Sequence, residues 1–252
     1  MALLKVRADV ERFRALLECI KPVSGEATIM WRKEGLEVNA LDQTMISYVG
    51  IIQPPDAFDE YVCEQDIDTT INVDDVLKLI KTAKKGEPLE LETEDPSQLT
   101  VRIGERVIRE LTIRLLQPYD ERYKRRFRLG DRMHVFVRVD TDDFHRALKE
   151  LASVSDQVVF KASENGIELL AEGELGSLRI SFEEGRGAFE VQRREEFTPF
   201  EVGFALRYIL DVVKSAKKVA ADLSIGLAPE HPIELKFLVD RGELIYYVAP
   251  RA

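Results

Sequence analysis

The stretch Phe13-Arg14-Ala15-Leu16 has a counterpart 131 positions further along the chain, Phe144-His145-Arg146-Ala147. The register then continues without a gap, because Glu34-Gly35-Leu36-Glu37 aligns with Asn165-Gly166-Ile167-Glu168 at the same offset. Self-similarity at a fixed spacing is the sequence signature of a repeated structural unit. The two halves of the chain are therefore predicted to share one fold.

The repeat also reaches the second helical segment of each half. Lys81-Thr82-Ala83-Lys84-Lys85 recurs as Lys214-Ser215-Ala216-Lys217-Lys218 at an offset of 133. A chain of 252 residues has room for two ordinary domains that each bury a core. No catalytic motif is duplicated along with the repeated unit. The repeat therefore favours a protein that acts through its shape over one that catalyses a reaction.

Each half reads as helix, hairpin, strands, helix and hairpin. Apolar residues three and four apart predict first helices over 9–20 and 141–153, and second helices over 73–85 and 204–218. Helices that alternate with hairpins in this way predict an α+β fold, with two helices on an antiparallel sheet in each of two similar domains. The expected divisions are an N-terminal domain 1–116, a connector 117–133 and a C-terminal domain 134–252.

Composition limits the classes of protein to consider. The charged fraction is 33%, and no apolar run approaches the length of a membrane span or forms a signal segment, which predicts a soluble intracellular protein without a membrane partner. Cys19 and Cys63 form neither a disulfide framework nor a zinc spacing. The formal net charge of −10 argues against nucleic acid on average, but the distribution of charge matters more.

The predicted helices each carry a basic stripe beside their apolar face. At the helical period, Lys78, Lys81 and Lys85 share one arc, and Asp211 intrudes into the equivalent arc of the last helix. Four stripes in repeated positions predict a common surface that faces a polyanion. Its members are Arg14, Lys21, Lys78, Lys81, Lys85, Arg146, Lys149, Arg207, Lys214 and Lys218.

These stripes contain few aromatic residues for stacking and few Asn or Gln side chains that could read base edges. Contact with phosphates alone gives binding that is indifferent to sequence and weakened by salt. Such a surface can hold a duplex without fixing its register. It therefore suits movement along DNA.

Signals for enzymatic chemistry are weak. The segment 81–87 lacks the glycine order of a phosphate loop, and the three histidines lack metal-ligand spacing. Asp66 and Asp68 form half of a possible metal site, although carboxylates in an acidic extended segment are commonly just solvated. We expect no catalytic residues, no metal and no cofactor. A nuclease that uses Asp66, Asp68 and a metal is kept as the competing class.

The sequence resembles the DNA sliding clamps of the archaeal and eukaryotic type, the proliferating cell nuclear antigen family, over essentially its whole length. The most specific matches are Asp143-Phe144, Gly173-Glu174-Leu175-Gly176, Phe204-Ala205-Leu206-Arg207-Tyr208 and Tyr246-Tyr247-Val248-Ala249-Pro250. Weaker matches are Leu41-Asp42, Phe58-Asp59-Glu60-Tyr61 and Cys63.

The resemblance implies three two-domain subunits closed into a ring, with helices lining the hole and the basic stripes facing double-stranded DNA. Subunits of that family join by pairing of edge strands, in a homotrimer or a heterotrimer. It implies a subunit interface at Ile108, Leu111, Ile113, Leu178 and Ile180.

The resemblance also implies a pocket in which replication and repair enzymes dock a short peptide with apolar and aromatic anchors. The matching positions are Leu41, Met45, Ile46, Tyr48, Pro232, Tyr247, Ala249 and Pro250. DNA polymerase and a clamp loader are the implied partners of such a processivity factor. If the source is archaeal, the location is cytoplasmic and nucleoid-associated.

The connector departs from the family pattern, because Lys124-Arg125-Arg126 makes it strongly basic. A solvated linker, a contact for an acidic partner and an additional DNA contact all remain open for this segment. The departure makes a specialised subunit of a heterotrimeric clamp a plausible alternative. A damage-response clamp scaffold is a further one.

Overall fold

The computed structural model describes residues 2–118, 121–174 and 176–251. Positions 119 and 120 of the predicted connector and Leu175 of the Gly173–Gly176 match lie outside the described residues. The chain divides into two compact units. The first unit takes residues up to 43, 49–126 and 241–243, and the second takes 44–48, 127–240 and residues from 244 onwards.

The first half of the chain contains nine strands and two α-helices among the described residues. In chain order these are β1 Leu4–Asp9, α1 Val10–Ile20, β2 Glu26–Arg32, β3 Gly35–Leu41, β4 Ser47–Gln53, β5 Glu60–Cys63, β6 Ile67–Asn72, α2 Val73–Ile80, β7 Pro88–Thr93, β8 Gln98–Ile103 and β9 Arg109–Arg114. The strands pair in the orders β5-β1-β7-β8-β9 and β4-β3-β2-β6. Helices α1 and α2 lie side by side.

The second half repeats this plan after two short 3-10 turns, Glu121–Lys124 and Gly130–Arg132. Its elements are β10 Val135–Asp140, α3 Thr141–Ala152, β11 Gln157–Ser163, β12 Gly166–Gly173, β13 Gly176–Glu184, β14 Gly187–Arg193, β15 Phe200–Ala205, α4 Leu206–Ala216, β16 Asp222–Leu227, β17 Ile233–Phe237 and β18 Glu243–Val248. The strands follow the order β15-β11-β12-β13-β14-β10-β16-β17-β18, and α3 packs beside α4. The predicted α+β class, with two helices on antiparallel sheet in each half, is confirmed.

The first helix of each half begins at the same kind of cap. The Asp9 carboxylate accepts the backbone N–H of Glu11 at 2.7 Å, and Asp140 accepts that of Asp143 at 2.8 Å. A carboxylate at this position satisfies an N–H group that has no partner within the helix and complements the helix dipole. The helices then bury apolar side chains spaced three and four apart, including Phe13 in α1 and Phe144 in α3.

Helix α2 is shorter than the periodicity predicts, because it ends at Ile80 and not at Lys85. After Lys81 the chain tightens, and the N–H of Ala83 bonds to the carbonyl of Ile80 at 3.1 Å. The Arg14 guanidinium donates to the carbonyls of Ile80 and Ala83, at 2.6 and 3.2 Å. These bonds satisfy carbonyls that a continuing helix would have paired. Lys81 is therefore the cap of the helix, and Lys84 and Lys85 lie beyond it.

A glycine begins the strand that follows the first hairpin turn in each half, Gly35 in β3 and Gly166 in β12. Gly35 has φ 130° and Gly166 has φ 150°, and a Cβ at either position would collide with a backbone carbonyl of the next strand, that of Gln53 or of Phe182. Only glycine fits both the backbone conformation and the close approach.

We expect Gly166→Ala to destabilise the protein by at least about 3 kcal/mol, because the added methyl group must displace backbone of β13. Chemical denaturation followed by circular dichroism measures this loss. The matched control is Gly185→Ala, where φ is 74° but nothing lies within 4 Å of the added Cβ. There only the backbone penalty of about 1 kcal/mol applies. Equal effects of the two substitutions would contradict the collision.

Candidate nucleic-acid interface and docking surface

Helices α3 and α4 are joined across their seam by an ion pair. The Lys217 ammonium lies 2.7 Å from the Asp142 carboxylate, which comes from the first turn of α3. Arg146 pairs within α3 with Asp143 at 3.3 Å. These acidic residues belong to helix N-termini, where negative charge is favourable. Part of the basic charge on this helix pair is therefore compensated locally.

The remaining predicted cations of this helix pair point into solvent. Lys149 and Lys214 are exposed, and within the described part of the chain they have no ion-pair partner. The Arg207 guanidinium lies over the Tyr208 ring at 5.2 Å, and Lys218 is also exposed. Lys149 and Lys214 can therefore reach an approaching anion without breaking an ion pair.

His145 lies among the basic residues of this helix pair. Burial lowers the pKa of its imidazole, and the nearby positive charges of Lys217, Lys149 and Lys214 lower it further, while Asp142 opposes them. Burial is the largest cause of this direction, and the three lysines add to it. More cationic than acidic side chains therefore act on His145, in a chain of net charge −10.

The first unit places its predicted cations in a similar way. Lys21 at the end of α1 pairs with Asp74 of α2 at 2.5 Å, and Lys78 pairs with Asp75 at 3.1 Å. Lys81 is exposed and has no ion-pair partner among the residues described. Lys85 is also exposed, but it lies beyond the end of α2 and not on its face.

Arg14 has a role that the sequence pattern missed. Its side chain is half-buried, and its guanidinium holds the carbonyls at the end of α2 as described above. Periodicity places Arg14 on the polar face of α1, but it gives no information about a helix that begins 59 positions later. Arg14 therefore contributes charge to the basic surface from a fixed position.

The residues predicted for the subunit interface lie on two open strand edges. Among the described residues β9 is paired on one side only, with β8, and β13 meets β14 only at Glu183 and Glu184. Exposed apolar residues precede and occupy β9, with Val107 76%, Ile108 63% and Leu111 39% exposed. The other predicted members, Ile113, Leu178 and Ile180, are half-buried.

Charged side chains hold β9 in place from the side of its own sheet. The Arg102 guanidinium on β8 pairs with Glu110 of β9 at 2.6 Å, and also with Glu90 and Glu92 of β7. Arg109 pairs with Glu87 before β7. The open edge is therefore positioned even without a partner strand.

Two of the predicted pocket residues are buried inside the second unit and do not present their ring faces to solvent. The rings of Tyr48 and Tyr247 stack with centroids 5.7 Å apart, and Phe127 stands edge-on to Tyr48 at 4.9 Å. The Tyr247 hydroxyl donates to Glu234 at 2.9 Å and accepts the N–H of Leu129 at 3.0 Å. Burial in this network raises the pKa of Tyr247. The tyrosines thus anchor the second part of the connector.

The other residues predicted for this pocket differ in their exposure. Met45 is 64% exposed and has a left-handed backbone with φ 59°, which is unusual for a residue other than glycine. The carbonyl of Ile46 accepts the N–H of Ala249 at 2.7 Å. Ile46, Pro232, Ala249 and Pro250 are half-buried in this unit, and Leu41 is half-buried at the end of β3 in the first unit.

Sequence reasoning missed Phe127 and Glu234 as parts of this surface. Phe127 is 39% exposed, and it is the single phenylalanine within the basic run of the connector, which was an available signal. Glu234 looked like one of many acidic residues. Its burial at 4% exposure and its bond to Tyr247 depend on a strand pairing that local sequence does not reveal.

Several basic side chains of the connector are used within the first unit. Arg126 pairs with Glu243 at 2.8 Å, and Lys124 pairs with Glu121 at 2.7 Å. The Tyr123 hydroxyl donates to Asp68 at 3.1 Å. The strong basic character of this segment is therefore partly explained by its attachment to acidic residues of the same unit.

The carboxylates considered for a metal site are engaged by an arginine. Arg32 lies 2.7 Å from Asp68 and 3.5 Å from Asp66. Across the described ranges, no cluster of three or more His, Cys, Asp or Glu side chains could hold a metal ion. In the same ranges, no helix has both the length and the apolar character needed to cross a membrane.

Comparison with known proteins identifies the family. The sequence signature of the proliferating cell nuclear antigen N-terminal domain matches residues 6–108, and that of its C-terminal domain matches residues 131–252. The chain belongs to the proliferating cell nuclear antigen family. Sliding clamps of this family are processivity factors without catalytic activity. The predicted membership is confirmed.

Individual relatives agree with this assignment. A protein named DNA polymerase sliding clamp 1 from Pyrobaculum aerophilum is 24% identical over 245 residues, with 96% of both chains covered. The DNA polymerase sliding clamp of Thermofilum pendens is 25% identical over 248 residues, again with 96% of both covered. The crystal structure of the proliferating cellular nuclear antigen from Entamoeba histolytica superposes with a TM-score of 0.89 at 19% identity, and covers 100% of both chains.

We expect Tyr247→Phe to loosen the connector, because the N–H of Leu129 and the buried Glu234 both lose a hydrogen-bond partner. The local opening free energy should fall by about 1–2 kcal/mol, which corresponds to roughly 5- to 30-fold faster amide exchange at Leu129. Hydrogen–deuterium exchange measures it. Tyr208→Phe, on α4, is the control, and unchanged protection at Leu129 in Tyr247→Phe would refute the anchoring role.

Proposed function

We propose that the chain is a subunit of a DNA polymerase sliding clamp, which encircles duplex DNA and tethers replication and repair enzymes to it. The observation that carries this proposal is the repeated basic helix pair in a chain of this family. Lys81 in one unit and Lys214 in the other occupy equivalent positions, and both are exposed. The protein performs no chemistry in this role.

The charge pattern suits contact that is weak and mobile. Cations paired with first-turn acids, such as Lys78 with Asp75, contribute less net attraction than the unpaired lysines. A few unpaired lysines that meet phosphates give modest, salt-dependent affinity with no preferred register. Such a surface allows a closed ring to slide, because no single contact must be broken at high cost.

We infer that assembly uses the open edges of β9 and β13. A strand edge with exposed apolar residues is normally covered in a native assembly. Pairing of these two different edges is heterologous, so it generates a ring when the rotation closes, and the fold leads us to expect three subunits. The ring contains three copies of this chain or this chain with sister subunits. The domains in this proposal are 1–116 and 134–252, joined by the connector 117–133.

We infer that replication and repair enzymes, among them DNA polymerase and a clamp loader, dock at the surface around Met45 in the second unit. We also infer that the protein acts in the cytoplasm at the nucleoid. An exposed methionine on a strained turn offers an adaptable apolar contact. Phe127 supplies an aromatic edge in the same unit. A helical turn with apolar anchors is the ligand that fits such a surface.

We expect the double variant Lys81→Glu with Lys214→Glu to weaken duplex binding and polymerase processivity while the assembly stays intact. Removal of two phosphate contacts should reduce the steepness of log affinity against log salt by about 1.8 for each altered subunit that contacts the duplex. Fluorescence anisotropy with a labelled duplex measures the slope. Lys33→Glu with Lys236→Glu makes the same charge change at exposed positions outside the helices. Normal processivity in the first variant would count against the DNA-facing assignment.

We expect Ile108→Asp to weaken subunit association at least tenfold, since burial of an unpaired carboxylate at a strand edge is unfavourable. Light scattering of the unmodified chain over a range of concentrations first shows whether it assembles alone or needs sister subunits. The variant is then compared in the ring that forms. Leu238→Asp changes another exposed apolar residue, 41% exposed, and serves as control. An unaltered mass for Ile108→Asp would remove β9 from the interface.

A further inference from the structure

His145 occupies the same place in the second unit as Arg14 does in the first. Each follows the buried phenylalanine of the first helix, Phe13 or Phe144, at the 131-residue offset of the repeat. Arg14 reaches the end of α2, where it binds two carbonyls. His145 lies one helical turn after Asp142, whose carboxylate is 2.7 Å from the ammonium of Lys217, the residue that caps the end of α4. Both side chains therefore lie near the seam between the two helices of their unit.

The groups around His145 are mostly cationic. From its own helix, Lys149 and Asp142 act on the imidazole, and Arg146 is the next residue along the chain. From α4, Lys214 and Lys217 act on it, and Lys217 is held near by its bond to Asp142. The strands packed beneath α3, which are β10, β12 and β13, supply buried apolar side chains to the core. The imidazole is half-buried and borders the basic surface.

We propose that His145 is a proton-linked phosphate contact of the DNA-facing surface. When a duplex phosphate lies against α3 and α4, the imidazole takes a proton from solvent and donates an N–H to a phosphate oxygen. The first unit has a permanent cation at the matching position, whereas the second unit gains its cation only on binding. This inference rests on the proposed sliding-clamp function.

The sign of the pH effect follows from the surroundings. In the free protein, burial and the lysines keep the pKa of His145 below its ordinary value. A phosphate cancels the repulsion from Lys149, Lys214 and Lys217 and favours the charged imidazole, so the pKa rises in the complex. Binding then takes up a proton at pH values between the free and bound pKa. Affinity increases as pH falls through that interval and is independent of this group above it.

The test measures duplex affinity by fluorescence anisotropy at pH 7.5, 6.5 and 5.5 and at fixed low salt. The unmodified protein should bind the duplex about 3- to 10-fold more tightly at pH 5.5 than at pH 7.5, after division by the corresponding ratio for His145→Gln. This increase corresponds to a pKa of His145 that is up to about one unit higher in the complex than in the free protein. His145→Arg should bind tightly at both pH values. His134→Gln, which changes a histidine that stands against the Phe200 ring, should behave like the unmodified protein.

A second measurement follows the proton directly. The chain has three histidines, so nuclear magnetic resonance of selectively labelled protein resolves few imidazole signals, and His145→Gln assigns the relevant one. Its pKa should rise on addition of a short duplex. The proton-linked contact is refuted if the duplex binds but the pKa of His145 is the same in the free and the bound protein, and if His145→Gln shows the same pH dependence of affinity as the unmodified protein. If no variant binds duplex at any pH, the proposed function fails, and this inference fails with it.

Discussion

Each unit depends on two amphipathic helices that lie side by side on its sheet and must be held at their seam. The apolar faces supply most of the attraction, since burial of large side chains such as Phe13 and Phe144 removes a large apolar area from water. The seam itself is polar, and both units bridge it with an ion pair between the cap of one helix and the first turn of the other, Lys21 with Asp74 and Lys217 with Asp142. The first unit adds Arg14, which binds the carbonyls at the end of α2. The repeated arrangement thus keeps one ion-pair device and supplements it in one unit.

These seams also set the character of the basic surface. The helix termini need acids at their starts, so Asp74 and Asp142 lie among the lysines and bind some of them. The cations that remain unpaired, such as Lys149 and Lys214, are few. A duplex would meet a small number of unpaired positive charges on these helices. Weak contacts of this kind are compatible with free movement along a polyanion.

Much of the fold could be predicted from local sequence, because the decisive signals lie within a few residues of one another. The apolar spacing of α1 and α3 and the turns before Gly35 and Gly166 gave the helices and hairpins in the right places. The end of α2 was predicted wrongly, since the arginine that satisfies its last carbonyls belongs to α1. Periodicity within one helix cannot register a partner 66 positions away.

For the predicted sites, too, local features could be predicted and features that depend on distant residues could not. The helical period alone predicts that these lysines are exposed. It does not predict where the helices end, and Lys85 and Lys218 lie beyond α2 and α4. The surroundings of Tyr48 and Tyr247 could not be deduced, because the hydroxyl of Tyr247 is bound by Glu234 and by a backbone N–H 118 positions away. That β9 and β13 each leave a strand edge unpaired could not be deduced from their own residues either. It depends on which strands pair, and neither strand carries that information by itself.

The open edge of β9 has a consequence for a newly made copy of the chain. Until it is covered, Val107 and Ile108 project beside a row of backbone groups that any extended peptide could bind, which is a recognised route to aggregation. The arginines and glutamates along β8 and β9 act as gatekeepers, because stacking of identical strands would bring like charges together. A copy whose β9 edge stays uncovered is therefore expected to depend on these charges for its solubility.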